Sequence, residues 1–162
     1  RDVVVHPNVV YGQNVSVESL VQIKSFSHLE DCKIKSGSSI GPFARIRGDS
    51  ILGNNSKVGN FVEIKKSNLS ENVKINHLSY VGDSEIGSST NIGAGTITCN
   101  YDGKSKNKTK IGKNSFVGSN STIIAPIKIG ENVTMGAGST FNKDIPNNTL
   151  AIGRAYQINK KK

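Results

Sequence analysis

Apolar side chains recur at every sixth residue over most of this 162-residue chain, and no other feature constrains its fold as much. A period of six fits neither the 3.6-residue turn of a helix nor a long alternating strand, but it suits a short strand, a turn and a new strand. Three such units make one coil of a parallel β-helix. Seven sets of three can be read off the sequence, with Thr98 as the single polar member: Val17-Ile23-Leu29, Ile34-Ile40-Ile46, Leu52-Val58-Ile64, Leu69-Ile75-Val81, Ile86-Ile92-Thr98, Ile111-Val117-Ile123 and Ile129-Met135-Phe141.

The composition supports strands rather than helices, since Ile and Val together number 32 and Leu and Met only 7. Successive sets begin 17 or 18 residues apart, except where an insertion separates Thr98 from Ile111. We therefore predict an all-β, parallel β-helix of about seven to eight coils over residues 1–141, with one external loop at 99–110. Residues 142–162 are predicted to form a C-terminal cap and tail. Periodicity alone does not give the hand of the helix.

The net charge of +9 predicts an anionic partner, and nucleic acid, an acidic membrane surface and a small phosphorylated ligand are the candidates. The nine Phe and Tyr residues are scattered rather than interleaved with basic residues, which argues against nucleic acid. No apolar run is long enough for a membrane span, and the first residues lack the pattern of a signal peptide, so we expect a cytoplasmic protein. The Cys and His spacings do not resemble a zinc site, and we expect no metal.

Equal offsets in successive coils place residues in columns along the β-helix. The second position after the middle apolar residue of each set gives a column with one histidine among mostly small residues: Ser25, Pro42, Asn60, His77, Ala94, Ser119 and Ala137. The strip formed by Ala94, Ser119 and Ala137 would leave room for a long, thin ligand against exposed backbone. A base at the end of a slot suits proton transfer, so His77 is a candidate catalytic residue.

A second column follows the third apolar residue of each set and contains Arg47 and Lys65 on adjacent coils. Two like charges about 5 Å apart are unfavourable unless an anion bridges them, and phosphate is the natural one. Two residues before Lys65, Glu63 is predicted either to neutralise part of this charge or to orient His77. The insertion at 99–110 carries four lysines and an Asp-Gly turn signal, which is typical of a solvated loop but also of a segment that covers a site.

Four strings of this sequence are distinctive. They are Gly41-Pro42-Phe43-Ala44-Arg45-Ile46-Arg47, Val58-Gly59-Asn60-Phe61-Val62-Glu63-Ile64-Lys65-Lys66, Asn91-Ile92-Gly93-Ala94-Gly95-Thr96-Ile97-Thr98-Cys99-Asn100-Tyr101-Asp102-Gly103 and Phe116-Val117-Gly118-Ser119. Together they resemble the acetyltransferase half of the bacterial bifunctional N-acetylglucosamine-1-phosphate uridyltransferase / glucosamine-1-phosphate acetyltransferase family. The resemblance runs from about Ile34 to Arg154, and the long string that begins at Asn91 is its most specific part.

This resemblance implies a left-handed β-helix and a homotrimer with sites in the clefts between subunits. It implies acetyl transfer from acetyl-CoA to glucosamine 1-phosphate, on the route to UDP-N-acetylglucosamine, a precursor of the cell wall and lipopolysaccharide. It also implies His77 as general base; Arg47 and Lys65 for the sugar phosphate; Tyr80 and Asn91 for the sugar; Ala94, Asn100, Tyr101, Ser119, Ala137 and Arg154 along the acetyl-CoA path; and Lys106 as a loop lysine that reaches a neighbouring subunit.

The nucleotidyltransferase half of that family, with its magnesium site, is expected to be absent, because no Gly-rich phosphate loop opens this sequence. Two alternatives stay open at this point. One is a hexapeptide acyltransferase that acts on another amine or on a hydroxyl group, and the other is a trimerising scaffold without catalysis. A scaffold has no need for Arg47 and Lys65 stacked beside a groove that ends at a histidine. This feature therefore discriminates between an acyltransferase and a scaffold without catalysis.

Overall fold

In the computed structural model, which describes residues 2–161, short strands alternate with corners and wind into three parallel sheets. The described residues contain no helix, and so none that could span a membrane. Each sheet takes one strand from every coil, and all strand pairs are parallel. The result is a left-handed parallel β-helix of about eight turns. The parallel β-helix agrees with the prediction from the six-residue period, and its hand is the one that the family resemblance implied.

The three walls are called sheets A, B and C. Sheet A contains β1 (Val4–Val5), β4 (Gln22–Ile23), β7 (Ser39–Ile40), β10 (Lys57–Asn60), β13 (Lys74–His77), β16 (Asn91–Ile92), β19 (Phe116–Val117), β22 (Thr134–Met135) and β24 (Leu150–Ala151). Sheet B contains β2 (Val10–Tyr11), β5 (His28–Leu29), β8 (Arg45–Arg47), β11 (Glu63–Lys65), β14 (Tyr80–Gly82), β17 (Ile97–Cys99), β20 (Thr122–Ile124) and β23 (Thr140–Phe141). Sheet C contains β3 (Val15–Val17), β6 (Cys32–Ile34), β9 (Ser50–Leu52), β12 (Asn68–Leu69), β15 (Ser84–Ile86), β18 (Thr109–Ile111) and β21 (Ile127–Ile129).

The core is the column of aliphatic side chains that the sixfold period predicts. Of the predicted apolar positions, Val17 is partly buried and all the others are buried. Thr98 is also buried, and its hydroxyl accepts a hydrogen bond from the backbone N–H of Gly82 at 2.8 Å. A polar side chain is therefore tolerated in the core because its oxygen is paired.

Glycine follows many core positions because the next coil passes directly over them. A Cβ on Gly93 would lie 2.6 Å from the carbonyl oxygen of Val117, and one on Gly112 would lie 2.6 Å from the backbone of Gly130. Neither contact can be relieved by a side-chain rotation, since the obstructing atoms belong to backbone. The frequency of glycine after core positions thus reflects the distance between stacked coils.

Beyond Asn142 the six-residue spacing is lost, but the chain continues along the coil. Ile145 forms a parallel bridge with Ile129, and β24 pairs with β22. Residues 152–161 have no assigned strand, and Tyr156 and Ile158 are largely exposed.

Candidate active site

His77 ends β13 at the corner between sheets A and B, with its ring exposed. Its partner in the coil below is Asn60, which is paired with it in the strand register, and Nδ1 of His77 lies 2.7 Å from Oδ1 of Asn60. A carbonyl oxygen can only accept, so Nδ1 carries the proton and donates. In the neutral ring, Nε2 then holds the lone pair, which is the tautomer that a general base needs.

Glu63 in β11 was predicted to neutralise basic charge or to orient His77, and the structure shows the first role. Its Oε1 accepts a hydrogen bond from Nε of Arg47 at 2.6 Å and lies 3.9 Å from the guanidinium of Arg45. The side chain that contacts the His77 ring is Asn60. The physical reason is that Asn60 shares a sheet and a column with His77, whereas Glu63 lies on sheet B.

Arg47 and Lys65 stack in neighbouring strands of sheet B, as their column predicts. Each has a carboxylate of its own: Glu63 for Arg47, and Asp83 for Lys65 at 3.8 Å. The expectation that the stacked charges need an external anion is corrected accordingly, because the chain supplies two acidic partners. Five N–H donors belong to a guanidinium and the bond to Glu63 uses one, so Arg47 retains donors for a phosphate.

Tyr80 and Asn100 converge over Gly82. The Nδ2 group of Asn100 donates to Oδ2 of Asp83 and lies 3.4 Å from the Tyr80 hydroxyl. Burial raises the pKa of Tyr80, as do the negative charges of Glu63 and Asp83, while the hydrogen bond from Asn100 acts in the opposite direction. Tyr80 is therefore a neutral hydroxyl that can both donate and accept at the edge of the Arg47–Lys65 pair.

The small-residue column above His77 is present as predicted. Asn120 donates its backbone N–H to the carbonyl of Ala94 at 2.7 Å, and Gly138 donates to that of Ser119 at 2.8 Å, so the coils stack in register along this corner. At the far end, Nε of Arg154 donates to the carbonyl of Ala137 at 2.8 Å. A strip of small side chains thus begins near the histidine and ends at a fixed cation.

The external loop contains a turn that is held by hydrogen bonds to the side chain of Asp102. The Asp102 carboxylate accepts backbone N–H groups from Ser105 at 2.7 Å and Lys104 at 2.8 Å, and also the Asn107 side chain. These hydrogen bonds lower the pKa of Asp102 to about 2. Nζ of Lys106 lies 4.2 Å from the ring centre of Tyr101 in the same chain.

Asn91 is the predicted sugar-binding residue that the structure sets apart from the others. It begins β16 in sheet A and pairs with Lys74 and Phe116, whereas Arg47, Lys65 and Tyr80 all lie in sheet B. The two sets occupy different walls of the prism.

Within residues 2–161 no cluster of three or more His, Cys, Asp or Glu side chains is arranged to bind a metal.

An exposed aromatic ladder runs along the corner beside the Asn60–His77 column. The rings of Phe26, Phe43 and Phe61 stack with centroids 5.0 and 5.3 Å apart, and Leu78 follows in the next coil. All four residues adopt positive φ angles of 50 to 62°, which bulky side chains rarely accept. These four exposed apolar side chains form a continuous row along one corner of the β-helix.

Comparison with known proteins identifies the repeats. Residues 31–66 and 108–143 match the family Bacterial transferase hexapeptide (six repeats). The chain is 51% identical over 160 residues to the Bifunctional protein GlmU of Jannaschia sp. (strain CCS1) and 54% identical over 160 residues to that of Anaplasma marginale (strain Florida). These alignments cover 99% of this chain but 35% and 37% of the relatives. The chain thus spans little more than a third of their length.

A solved structure with the same fold is the UDP-N-acetylglucosamine acyltransferase from Campylobacter jejuni. It superimposes with a TM-score of 0.57 over 87% of this chain and 68% of the other, at 17% sequence identity. At that identity the likeness shows a shared fold and carries no information about the substrate.

Proposed function

Since this chain is a hexapeptide-repeat domain about half identical in sequence to the matched part of GlmU proteins, we propose that it transfers the acetyl group of acetyl-CoA to the 2-amino group of glucosamine 1-phosphate. The product, N-acetylglucosamine 1-phosphate, then serves UDP-N-acetylglucosamine synthesis. The observation that carries the proposal is His77, with Nδ1 held by Asn60, at the end of a small-residue groove and around the corner from Arg47 and Lys65.

His77 acts as the general base. A protonated amine has no lone pair with which to attack a thioester, so the ammonium group first loses one proton to solvent. The base then takes a second proton from the nitrogen as it bonds to the acetyl carbonyl carbon. Neutral imidazole suits this task near pH 7, and Nε2 is the atom that receives the proton. The tetrahedral intermediate then collapses, the C–S bond breaks, and the departing thiolate takes the proton back. Backbone N–H groups near Ala94 or Tyr101 are the proposed donors to the oxyanion.

The acceptor binds by its phosphate on Arg47 and Lys65 and by its sugar hydroxyls on Tyr80. The exposed side-chain fractions of 31% for Arg47 and 19% for Lys65 leave these cations accessible but partly desolvated, which strengthens a charge-assisted hydrogen bond. Arg47→Ala is expected to raise mainly the KM for glucosamine 1-phosphate.

Acetyl-CoA lies along the small-residue column. Ala94, Ser119 and Ala137 leave space for the thin pantetheine arm, and the guanidinium of Arg154 suits the anionic end of the donor. Asn100 and Tyr101, at the start of the loop, are proposed to contact the acetyl end.

We propose the cytoplasm as the compartment, since Cys32 and Cys99 are both free thiols.

A homotrimer completes the site. A ligand-binding site normally buries most of its ligand, and a single prism offers only open walls on which His77 is exposed and Asn91 lies apart from Tyr80. A second copy brings another wall across the cleft, and the aromatic ladder of Phe26, Phe43 and Phe61 is a surface for such contact. In the trimer, Asn91 and Lys106 are proposed to face a neighbouring subunit's cleft.

The oligomer is tested by Phe43→Glu, which places a charge in the centre of the stacked rings. Light scattering should show loss of the trimer, and acetyl transfer should fall with it. Leu20→Glu is the matched control, because Leu20 is also exposed with a φ of 59° but lies on a different corner. A trimer that survives Phe43→Glu would remove the ladder from the interface.

The function is tested by thiol release from acetyl-CoA with glucosamine 1-phosphate, glucosamine 6-phosphate or serine as acceptor, with the product mass confirmed. Release specific to the 1-phosphate supports the proposal. His77→Ala should then lower kcat by roughly 10²- to 10⁴-fold with little effect on acetyl-CoA binding. Activity only with other acceptors would indicate a different acyltransferase, and failure to bind acetyl-CoA would indicate a scaffold.

A further inference from the structure

Asp83 is a buried carboxylate that no predicted site role includes. It follows β14 at the corner between sheets B and C, with a φ of 49° and only 7% of its surface exposed. A buried carboxylate is costly unless its oxygens are paired. Its Oδ2 accepts a hydrogen bond from Nδ2 of Asn100 and lies 3.8 Å from Nζ of Lys65.

Asp83 also contacts both ends of the external loop. At the start of the loop, its side chain holds Asn100, whose own carbonyl accepts the backbone N–H of Asn107 at 2.7 Å. At the end of the loop, its backbone carbonyl accepts the N–H of Thr109 at 3.3 Å. One residue therefore fixes the entry and the exit of the insertion.

On its other side, Asp83 is tied to the acceptor pocket. Its backbone N–H donates to the carbonyl of Lys65 at 2.9 Å, and its carboxylate faces the Lys65 ammonium group. Gly82 precedes it, and a Cβ there would lie 2.5 Å from the Tyr80 hydroxyl and 2.8 Å from Nδ2 of Asn100. The absence of a side chain at Gly82 is what lets Tyr80 and Asn100 approach Asp83.

We propose that Asp83 is a positioning residue that joins the Lys65–Tyr80 side of the acceptor pocket to the loop that begins at Asn100. The loop-anchoring part stands on the contacts alone, and its effect on catalysis rests on the proposed acetyl transfer. Because a carboxylate only accepts hydrogen bonds, it forces the nitrogen of the Asn100 amide to face inward and turns Oδ1 the other way. The Asn100 amide is thereby presented in one orientation.

Loop anchoring is tested on the whole chain by limited trypsin digestion, with cleavage after the exposed Lys104, Lys106 and Lys108 read by mass spectrometry. Asp83→Ala should speed cleavage in the loop roughly tenfold or more, as expected when local opening loses a charge-assisted hydrogen bond. Asp83→Asn should restore most of the protection, since an amide oxygen also accepts and Asn tolerates positive φ.

The matched control is Asp31→Ala. Asp31 lies at the equivalent corner three coils away, has a φ of 42°, and accepts the Asn14 amide at 2.8 Å, but it does not contact the loop. Its removal should leave cleavage of the loop unchanged. Equal protection in Asp83→Ala and Asp31→Ala would overturn the proposal. Should Asp83→Ala fail to fold, Asn100→Ala removes the same hydrogen bond from the other side, and unchanged cleavage in that variant would overturn it equally.

The catalytic effect is tested by a double-mutant cycle on kcat/KM for acetyl-CoA, measured at saturating glucosamine 1-phosphate so that the contact of Asp83 with Lys65 does not enter the comparison. If Asp83 acts through Asn100, the Asp83→Ala/Asn100→Ala double variant loses no more activity than Asn100→Ala alone. Additive losses would show that Asp83 acts independently and would overturn the positioning role. If the unmodified chain transfers no acetyl group, the proposed function fails, while the digestion still decides whether Asp83 anchors the loop.

Discussion

The hydrogen bond between Asn60 and His77 makes the sharpest prediction about the proposed base. Asn60→Ala removes a neutral bond of 2.7 Å at a corner where the histidine ring is exposed. Such a bond contributes a net 0.5–1.5 kcal/mol, and about 1 kcal/mol corresponds to roughly a fivefold fall in kcat. The loss should be far smaller than in His77→Ala, because the base is still present and only its tautomer and orientation are released.

Asn60→Asp separates orientation from mere packing. A carboxylate keeps the acceptor oxygen but adds a negative charge beside the imidazole, which stabilises the protonated ring. A higher pH is then needed to generate the base, so the acid limb of the kcat profile should move upward by about one pH unit. Steady-state rates between pH 5 and 9, with thermal unfolding as a check on the fold, measure this. A wild-type kcat in Asn60→Ala together with an unmoved profile in Asn60→Asp would refute the reasoning.

Three further changes test other parts of the molecule. Glu63→Gln should raise the KM for glucosamine 1-phosphate without moving the pH profile, because Glu63 contacts Arg47 and not His77; a shifted profile would contradict the assignment. Gly59→Ala should lower the free energy of unfolding in urea by about 1–3 kcal/mol or more, since its Cβ would overlap the Asn76 carbonyl. Gly136→Ala should cost less, because the tightest contact of its Cβ would be 3.3 Å, to a side-chain atom of Ile152. The low pKa of Asp102, about 2, means that its contribution to loop order is complete above about pH 4 and is lost as the pH falls toward 2; an NMR titration midpoint near 4 would show that the turn is not formed.

The six-residue period was sufficient to predict the architecture, because in a solenoid each coil repeats the contacts of the last. The predicted positions fill the core, and Arg47 with Lys65 are strand partners as their equal offsets required. The insertion predicted at 99–110 includes residues 100–108, which connect β17 to β18, together with the last residue of β17 and the first two of β18. Its internal order rests on Asp102, for which the Asp-Gly pair was the sequence signal.

Other features depend on side-chain reach, which a period does not encode. The sequence shows two stacked cations, but not that Glu63 and Asp83 lie against them. The sequence did not predict a role for Asp83, because this residue follows Gly82 at a corner and lies outside both columns. The continuation of the coil through Ile145 and β24 likewise follows no sixfold spacing, since a single bridge and one short strand pair maintain it.

Asn60, rather than Glu63, contacts His77, and this outcome shows how columns predict side-chain contacts in a β-helix. Adjacent coils are separated by the spacing of paired strands, about 4.8 Å, so a residue at the same offset one coil away is always within reach of a short side chain. Glu63 lies three residues after Asn60, past the corner and in sheet B. It is therefore within reach of Arg47, a long side chain of the same sheet, rather than of His77 in sheet A. Asn60 was therefore the nearer candidate from the column alone. The paired variants Asn60→Asp and Glu63→Gln test this rule directly, because the first should move the pH profile and the second only the acceptor KM.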